Sequence, residues 1–321
     1  MKIKGIINGV PDMPTDSYEI TANAKINLFL RVNGTLPNGY HRLYTVMQEI
    51  DCADQLTITL DHTRRGFKIN CFGRNDIDPE KNLCKKACDR FYSNLKKLKN
   101  DDFKAPYTEI DLIKNIPSES GMGGGSSDAA AVLVTLQEHF GQPFTEDELL
   151  RIAVNVGADV PFFLYGGTCL CERVGEVVKP IESLAGLGVL IGKPKAGVST
   201  PECFALMDRE KEKPFDEKAY SDYVDSLDVH YRNSSEMLEK ILAGKDLLGN
   251  DLEAPAIKLV PEIETLKVAF TNSGAEYCCM TGSGSAVFAL FASRGDAAAA
   301  MEQVKDVPAL EGFQLYLSET V

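Results

Sequence analysis

From Ile20 to Val32 the even positions are apolar. Ile20, Ala22, Ala24, Ile26, Leu28, Leu30 and Val32 take every second place, the period-2 pattern of a half-buried β-strand. The opposite face carries Thr21, Asn23, Lys25, Asn27 and Arg31, so Lys25 and Asn27 project the same way. Leu56, Ile58 and Leu60 alternate as a second strand, and Thr108, Ile110 and Leu112 as a third. Leu83, Ala87, Phe91, Leu95 and Leu98 instead recur at helical spacing behind the cap candidate Asn82. Thr145 and Glu148 have the spacing of a capping box, and Gly157 stands where that helix should stop.

The second half has a different texture. Val189 to Ile191 reads as a strand, and Thr200-Pro201 as a helix cap with proline at the first helical position. A helix is predicted from Pro261 to Phe270 and an apolar strand from Ala286 to Phe291. The charged stretch from Met207 to Val229 reads as a surface excursion. Asn33-Gly34 and Asn38-Gly39 are turn signals, the latter presenting Tyr40 and His41 on a loop. Strands and helices alternate without a regular βαβ rhythm, so a two-layer α+β fold is expected.

The richest local signal is Gly121-Met122-Gly123-Gly124-Gly125-Ser126-Ser127, entered from Pro117 and followed by an apolar helical run that ends at Gly141. Four glycines in five positions let the backbone come close to a bound group. A helix opening there adds unpaired N–H groups and the positive end of its dipole, which suits phosphate. The P-loop lysine is missing, and the G-x-G-x-x-S spacing ends in Ser126 where a dinucleotide fingerprint has glycine. The segment is therefore a phosphate-binding loop of another kind, and a plain linker would not run into a helix.

Composition narrows the partners. The 321 residues have room for two domains and carry a net charge of −13. That charge argues against nucleic acid or a membrane surface as partner. Nine cysteines form no C-x-x-C pair, and none of the four histidines is spaced from cysteine as a zinc site requires. No metal-ligating set is predicted, and the cysteines read as free thiols of a reducing compartment. The first residues are polar, broken by Pro11 and Pro14, without an apolar h-region. The expected location is the cytoplasm.

Three further positions could carry chemistry, each with a plainer alternative. Thr281-Gly282-Ser283-Gly284-Ser285 is a second glycine turn, which either shares a cleft with the first or makes an ordinary hairpin turn. Asp159, in Gly157-Ala158-Asp159-Val160-Pro161-Phe162-Phe163, is a carboxylate in apolar company, or a turn former. Lys25 is either a site residue or a solvated lysine on a polar strand face.

Taken together, Ala24 to Leu28, Pro117 to Ala131, Gly157 to Phe163 and Thr281 to Ser285 resemble the GHMP kinase superfamily of small-molecule kinases. Asn38-Gly39-Tyr40-His41-Arg42-Leu43, Gly197-Val198-Ser199-Thr200-Pro201 and Asn250-Asp251-Leu252-Glu253 are similar to the branch whose alcohol substrate is a cytidine-diphosphate-linked methylerythritol. The resemblance runs from about Ile20 to Phe291. Asn38, Met122 and the Ser118-Glu119-Ser120 segment depart from the commonest pattern.

The resemblance implies a two-domain fold. Residues 1–171 would form a ribosomal-protein-S5-domain-2-like ATP-binding domain, and residues 172–321 a ferredoxin-like C-terminal domain whose last strand can return to the first. ATP and substrate would meet in the cleft between them. ATP with Mg²⁺ would be bound by Pro117, Gly121, Met122, Gly123, Gly124, Gly125, Ser126 and Ser127, with Asn82, Leu83 and Lys114 on the adenine side. Asp159 and Lys25 would be catalytic, acting on the 2-hydroxyl of the substrate. Tyr40 and Phe204 would wall the cytosine, His41 would read it, and Asn27 and Thr200 would contact the erythritol diphosphate. The protein would act as a monomer or weak homodimer. A GHMP kinase for a sugar, a mevalonate-like alcohol or homoserine is the alternative activity, and a non-catalytic nucleotide-binding regulator is the alternative of another class.

Overall fold

A computed structural model describes residues 5–8, 15–36, 39–73, 78–99, 102–210, 216–227, 234–244 and 246–321. Its elements begin with β1 (Gly5–Asn8), β2 (Thr15–Thr35), β3 (His41–Asp61), β4 (Phe67–Phe72), α1 (Leu83–Leu98) and β5 (Tyr107–Ile113). Next come α2 (Gly124–His139), α3 (Glu146–Val154), α4 (Val160–Tyr165), β6 (Thr168–Arg173), β7 (Val177–Pro180) and β8 (Gly188–Lys193). Then follow α5 (Thr200–Glu210), α6 (Glu217–Leu227), α7 (Ser234–Ala243), β9 (Gly249–Asn250) and α8 (Glu253–Leu259). The last are α9 (Glu262–Asn272), β10 (Tyr277–Met280), β11 (Val287–Phe291), α10 (Arg294–Val304) and β12 (Gln314–Glu319).

Two compact units result. One is drawn from Met1–Ala24, Ala53–Ile116 and Gly123–Tyr165, the other from Lys25–Cys52, Pro117–Met122 and Gly166–Val321. Strands β2 and β3 each give one half to either unit.

In the first unit β3 pairs antiparallel with β5, setting Leu56 opposite Leu112 and Ile58 opposite Ile110. β4 adds to β5 in parallel. The alternation puts Leu56, Ile58, Leu60, Ile110 and Leu112 into one core with Phe91 and Leu95 of α1 and Val132 and Leu133 of α2. Phe91 is fully buried, so its truncation to alanine should cost about 3–5 kcal/mol. Helix starts are chemically marked here. The Asn82 side chain accepts from Cys84 N at 2.8 Å, and Thr145 and Glu148 close the expected capping box. Helix α2 starts earlier than expected, at Gly124 inside the glycine run, and not after Ser126.

In the second unit β3 pairs antiparallel with β6, and β6 with β7. A separate four-stranded antiparallel sheet has the order β10-β11-β8-β12. Its inner side meets α9 and α10 through Leu190, Val287, Ala289, Leu266, Phe270 and Ala297. The stretch from Met207 to Val229 is not the surface excursion its charge suggested. Helix α5 extends to Glu210, and α6 buries Tyr220, Tyr223, Val224 and Leu227. Tyr220 and Tyr223 lie 5.5 Å and 6.1 Å from the Phe29 ring. Residues 211–215 and 228–229 of that stretch, and Asn38 of the Asn38-Gly39 turn, lie outside the described residues. All nine cysteines are free. No helix among the described residues is long and apolar enough to cross a membrane.

Candidate active site

The first unit carries the glycine-to-helix junction. Gly123 is the cap residue of α2 with φ +73°, a left-handed conformation that a side chain would strain. As the cap, Gly123 offers this end no side-chain hydrogen bond. The first-turn N–H groups of Gly124, Gly125 and Ser126 therefore have no acceptor within the helix. Ser127 Oγ donates to Asn23 O at 2.6 Å and ties α2 to β2. A Cβ on Gly124 would stand 3.0 Å from Ile116 and 3.3 Å from Lys114 Nζ. One on Gly157 would stand 3.2 Å from Val160 and 3.7 Å from both Leu83 Cδ1 and Ser126 Oγ. The structure thus brings Leu83, Gly124 to Ser126 and the Gly157 turn together, with Asn82 capping the helix that presents Leu83. Asp159 is half-buried in the turn just before α4.

Behind the loop lies a charge cluster that sequence reading missed. Lys114 Nζ donates to Asp128 Oδ2 at 2.7 Å and also to Asp54 Oδ2. Asp54 Oδ1 accepts from the backbone N–H of Asn115 (2.6 Å) and Ile116 (2.8 Å). Asp54 and Asp128 are both buried. Burial pushes the Asp128 carboxyl well above the usual range; Lys114 opposes this and Asp54 adds to it. Burial works against the Lys114 ammonium, yet the Asp128 and Asp54 carboxylates together hold it above its ordinary value. Among the described residues Asp128 Oδ1 has no hydrogen-bond partner. Two carboxylates facing one ammonium leave an excess negative charge, which a proton on Asp128 relieves.

The second unit carries a second polar centre. Lys25 is buried despite its charge, and its Nζ donates to Asn27 Oδ1 at 2.6 Å. Lys25 N donates to Met122 O at 3.0 Å. Asn27 Oδ1 also accepts from Gly282 N (2.9 Å) and Thr281 Oγ1 (3.2 Å), while Asn27 Nδ2 donates to Thr45 Oγ1 (2.9 Å). The second glycine turn is therefore not an isolated hairpin. It lies directly on the start of the first, since a Cβ on Gly121 would stand 2.1 Å from Thr281 O. Ser285 N and Ala286 N donate to Glu119 O and Ser120 O at 3.1 Å and 3.3 Å. Asn250 Nδ2 bonds Met280 O and Gly282 O, holding the turn from behind. Pro117 O accepts from Ser120 Oγ at 2.7 Å. The Glu119 side chain turns onto Gly197, where a Cβ would meet Oε2 at 2.2 Å.

The aromatic residues of the same unit form a third group. His41 stacks on Phe204 with ring centres 4.3 Å apart and planes 21° from parallel. His41 Nε2 lies 2.9 Å from the Asp208 carboxylate. Asp208 follows Phe204 by four residues on α5, so both occupy one helix face. That spacing was the signal available for Asp208, which the charge of its neighbours hid. Tyr40 is exposed next to this pair in sequence. Thr200 Oγ1 meets Ser283 Oγ of the second glycine turn at 2.7 Å.

Comparison with known proteins gives the family. Residues 82–167 match the family model of the GHMP kinases N terminal domain, and residues 229–309 that of the GHMP kinases C terminal. A 4-diphosphocytidyl-2-C-methyl-D-erythritol kinase of Desulfitobacterium hafniense is 36% identical over 279 residues, covering 87% of this chain and 88% of its own. The enzyme of that name from Geobacter metallireducens is 34% identical over 291 residues, covering 90% and 94%. A crystal structure of 4-(cytidine 5'-diphospho)-2C-methyl-D-erythritol kinase superposes with a TM-score of 0.71 at 28% identity, covering 94% of this chain and 98% of that one. The chain belongs to the GHMP kinases, and among them to the 4-diphosphocytidyl-2-C-methyl-D-erythritol kinases.

Proposed function

We propose that the protein transfers the γ-phosphoryl group of ATP to the 2-hydroxyl of 4-diphosphocytidyl-2-C-methyl-D-erythritol, a step of isoprenoid precursor synthesis by the methylerythritol phosphate route. The observation that carries the choice of substrate is the His41–Phe204 stack with Asp208 on His41 Nε2. In the neutral ring, a proton on Nε2 shared with Asp208 leaves Nδ1 as an acceptor. Cytosine offers an amino donor at the edge where uracil has a carbonyl, so an acceptor there selects cytosine. Phe204 and Tyr40 supply the faces for stacking, and Thr200 and Asn27 take the diphosphate and erythritol side.

Phosphoryl transfer is mainly positioning and charge stabilisation. The start of α2 fits an anion, because its glycine cap gives the first N–H groups no side-chain acceptor. Gly121 to Ser127 would cradle the phosphates, with Met122 and Pro117 holding the entry to the loop. Ser126 is the better placed hydroxyl for phosphate or Mg²⁺, since Ser127 is committed to Asn23. Mg²⁺, when bound, would neutralise charge on the phosphate oxygens. Asn82, Leu83 and Lys114 would border the adenine, with Lys114 reaching the loop from beneath Gly124. Asp159 would orient the attacking hydroxyl and take its proton late, since aspartate is a weak base at neutral pH. Lys25, steadied by Asn27, would offset the charge that develops. The nine free thiols favour the cytoplasm as the location.

The test is a steady-state assay of the purified protein with ATP and Mg²⁺. Cytidine and uridine forms of the substrate are compared with galactose, mevalonate and homoserine. The cytidine form should have a kcat/KM orders of magnitude above every other alcohol. Equal turnover of the uridine form, or comparable turnover of homoserine, would overturn the proposal.

A further inference from the structure

Asp16, His62 and His139 come from three separate elements of the first unit: the start of β2, the turn after β3 and the last residue of α2. Their sequence separation hides them from any spacing rule, yet their ligand atoms all lie within 4.8 Å of one another. Asp16 Oδ2 stands 3.4 Å from His62 Nε2 and 3.9 Å from His139 Nδ1. Ligands about 2.0–2.2 Å from a tetrahedral ion stand about 3.4 Å apart. The Asp16–His62 spacing already has this value, and the Asp16–His139 spacing is half an ångström wider.

We infer that Asp16, His62 and His139 form a binding site for a borderline-soft divalent cation of the zinc and cobalt class. Two imidazoles and one carboxylate are the donor set such ions prefer over the all-oxygen sets of Mg²⁺ or Ca²⁺. The supports are built. His62 and His139 stack with ring centres 5.2 Å apart, and His139 packs edge-on against Phe140. Asp61 Oδ1 accepts from Thr63 N at 2.8 Å and fixes the turn that carries His62. His139 terminates α2, where the negative end of the helix dipole favours a cation. Tyr18 OH lies 2.6 Å from His139 Nδ1 and must release that nitrogen to the ion.

The test uses the full-length, reduced protein, with Co²⁺ as probe in excess Mg²⁺, read by calorimetry and visible absorption. The wild type should bind one Co²⁺ per chain with a d–d spectrum free of thiolate charge transfer, which separates the site from the nine cysteines. His62→Ala, at an exposed turn, and Asp16→Asn should each weaken binding by more than the about 10–100-fold that loss of an outer-shell partner costs. Tyr18→Phe frees Nδ1 and should bind at least as tightly as wild type. Absence of Co²⁺ binding in the wild type, a thiolate spectrum, unchanged affinity in His62→Ala and Asp16→Asn, or weaker binding in Tyr18→Phe would each overturn the assignment.

Discussion

The Lys25 ammonium donates to the Asn27 carboxamide oxygen at 2.6 Å, two residues along one strand and both buried. Strand alternation makes the pair neighbours, and the second glycine turn completes the cage around Asn27 through Thr281 and Gly282. Asn27→Leu keeps the volume but removes that acceptor and takes away the partner of the Gly282 N–H. A buried donor that loses its partner costs about 1–3 kcal/mol, so both Tm and kcat should fall, kcat by tenfold or more. Unchanged kcat in a folded variant would remove Asn27 from the positioning of Lys25.

Asp159→Asn should retain the fold and nucleotide binding and lose kcat. Positioned acid–base groups contribute about 10²–10⁴-fold, and the loss should lie in kcat with KM little changed. Steady-state kinetics beside a nucleotide-binding titration checks this, and near-normal kcat would reject the assignment.

Gly123→Val places a branched side chain on a φ of +73° at the cap of α2. The junction must distort, so ATP affinity should collapse while the cytidine substrate still binds. Calorimetry with each ligand separately tests this; equal affinities in variant and wild type would exclude Gly123 from the phosphate cradle.

Asp208→Asn should narrow the preference for cytosine over uracil, because it weakens the anchor that reserves His41 Nδ1 as an acceptor. His41→Ala should narrow it further. Tyr40→Ala should instead weaken both bases alike, since stacking is worth about 1–3 kcal/mol per base whatever its edge. Ratios of kcat/KM for cytidine and uridine substrates decide it, and parallel losses on both in His41→Ala would remove His41 as the reader.

The Asp128 carboxyl titrates above its unfolded value, so the folded protein holds a proton that the unfolded chain has released. Its contribution to stability is complete below the ordinary aspartate range and is lost as pH rises through the raised folded value. Within that window the loss is up to about 1.4 kcal/mol per pH unit. Asp128→Asn removes the titration. Urea midpoints from pH 5 to 7 should therefore fall more steeply for wild type than for the variant, and equal slopes would refute a buried proton.

Local chemistry was readable wherever one short segment decides its own structure. Asn82 and Thr145 announced their helices because a cap satisfies N–H groups two or three residues away. The glycine run announced a tight turn that opens a helix, because the left-handed conformation at Gly123 favours a residue without a side chain. Helix α6 was legible in principle, since Tyr220, Tyr223, Val224 and Leu227 follow a helical stripe, but the interleaved charges drew attention to the outer face. The Asp54–Lys114–Asp128 cluster had no comparable signal. Its members are 60 and 14 residues apart, and only the pairing of β3 with β5 and the docking of α2 assemble them.

The contact of Gly121 with Thr281 restricts how this enzyme could be retooled for another alcohol. A single added carbon at Gly121 would overlap the Thr281 carbonyl, so a library that varied Gly121 would dismantle both glycine turns. Helix α5 has no such restriction around Phe204 and Asp208, where side chains and not backbone make the contacts. Altered base specificity should therefore be sought on α5, with the glycine turns held constant.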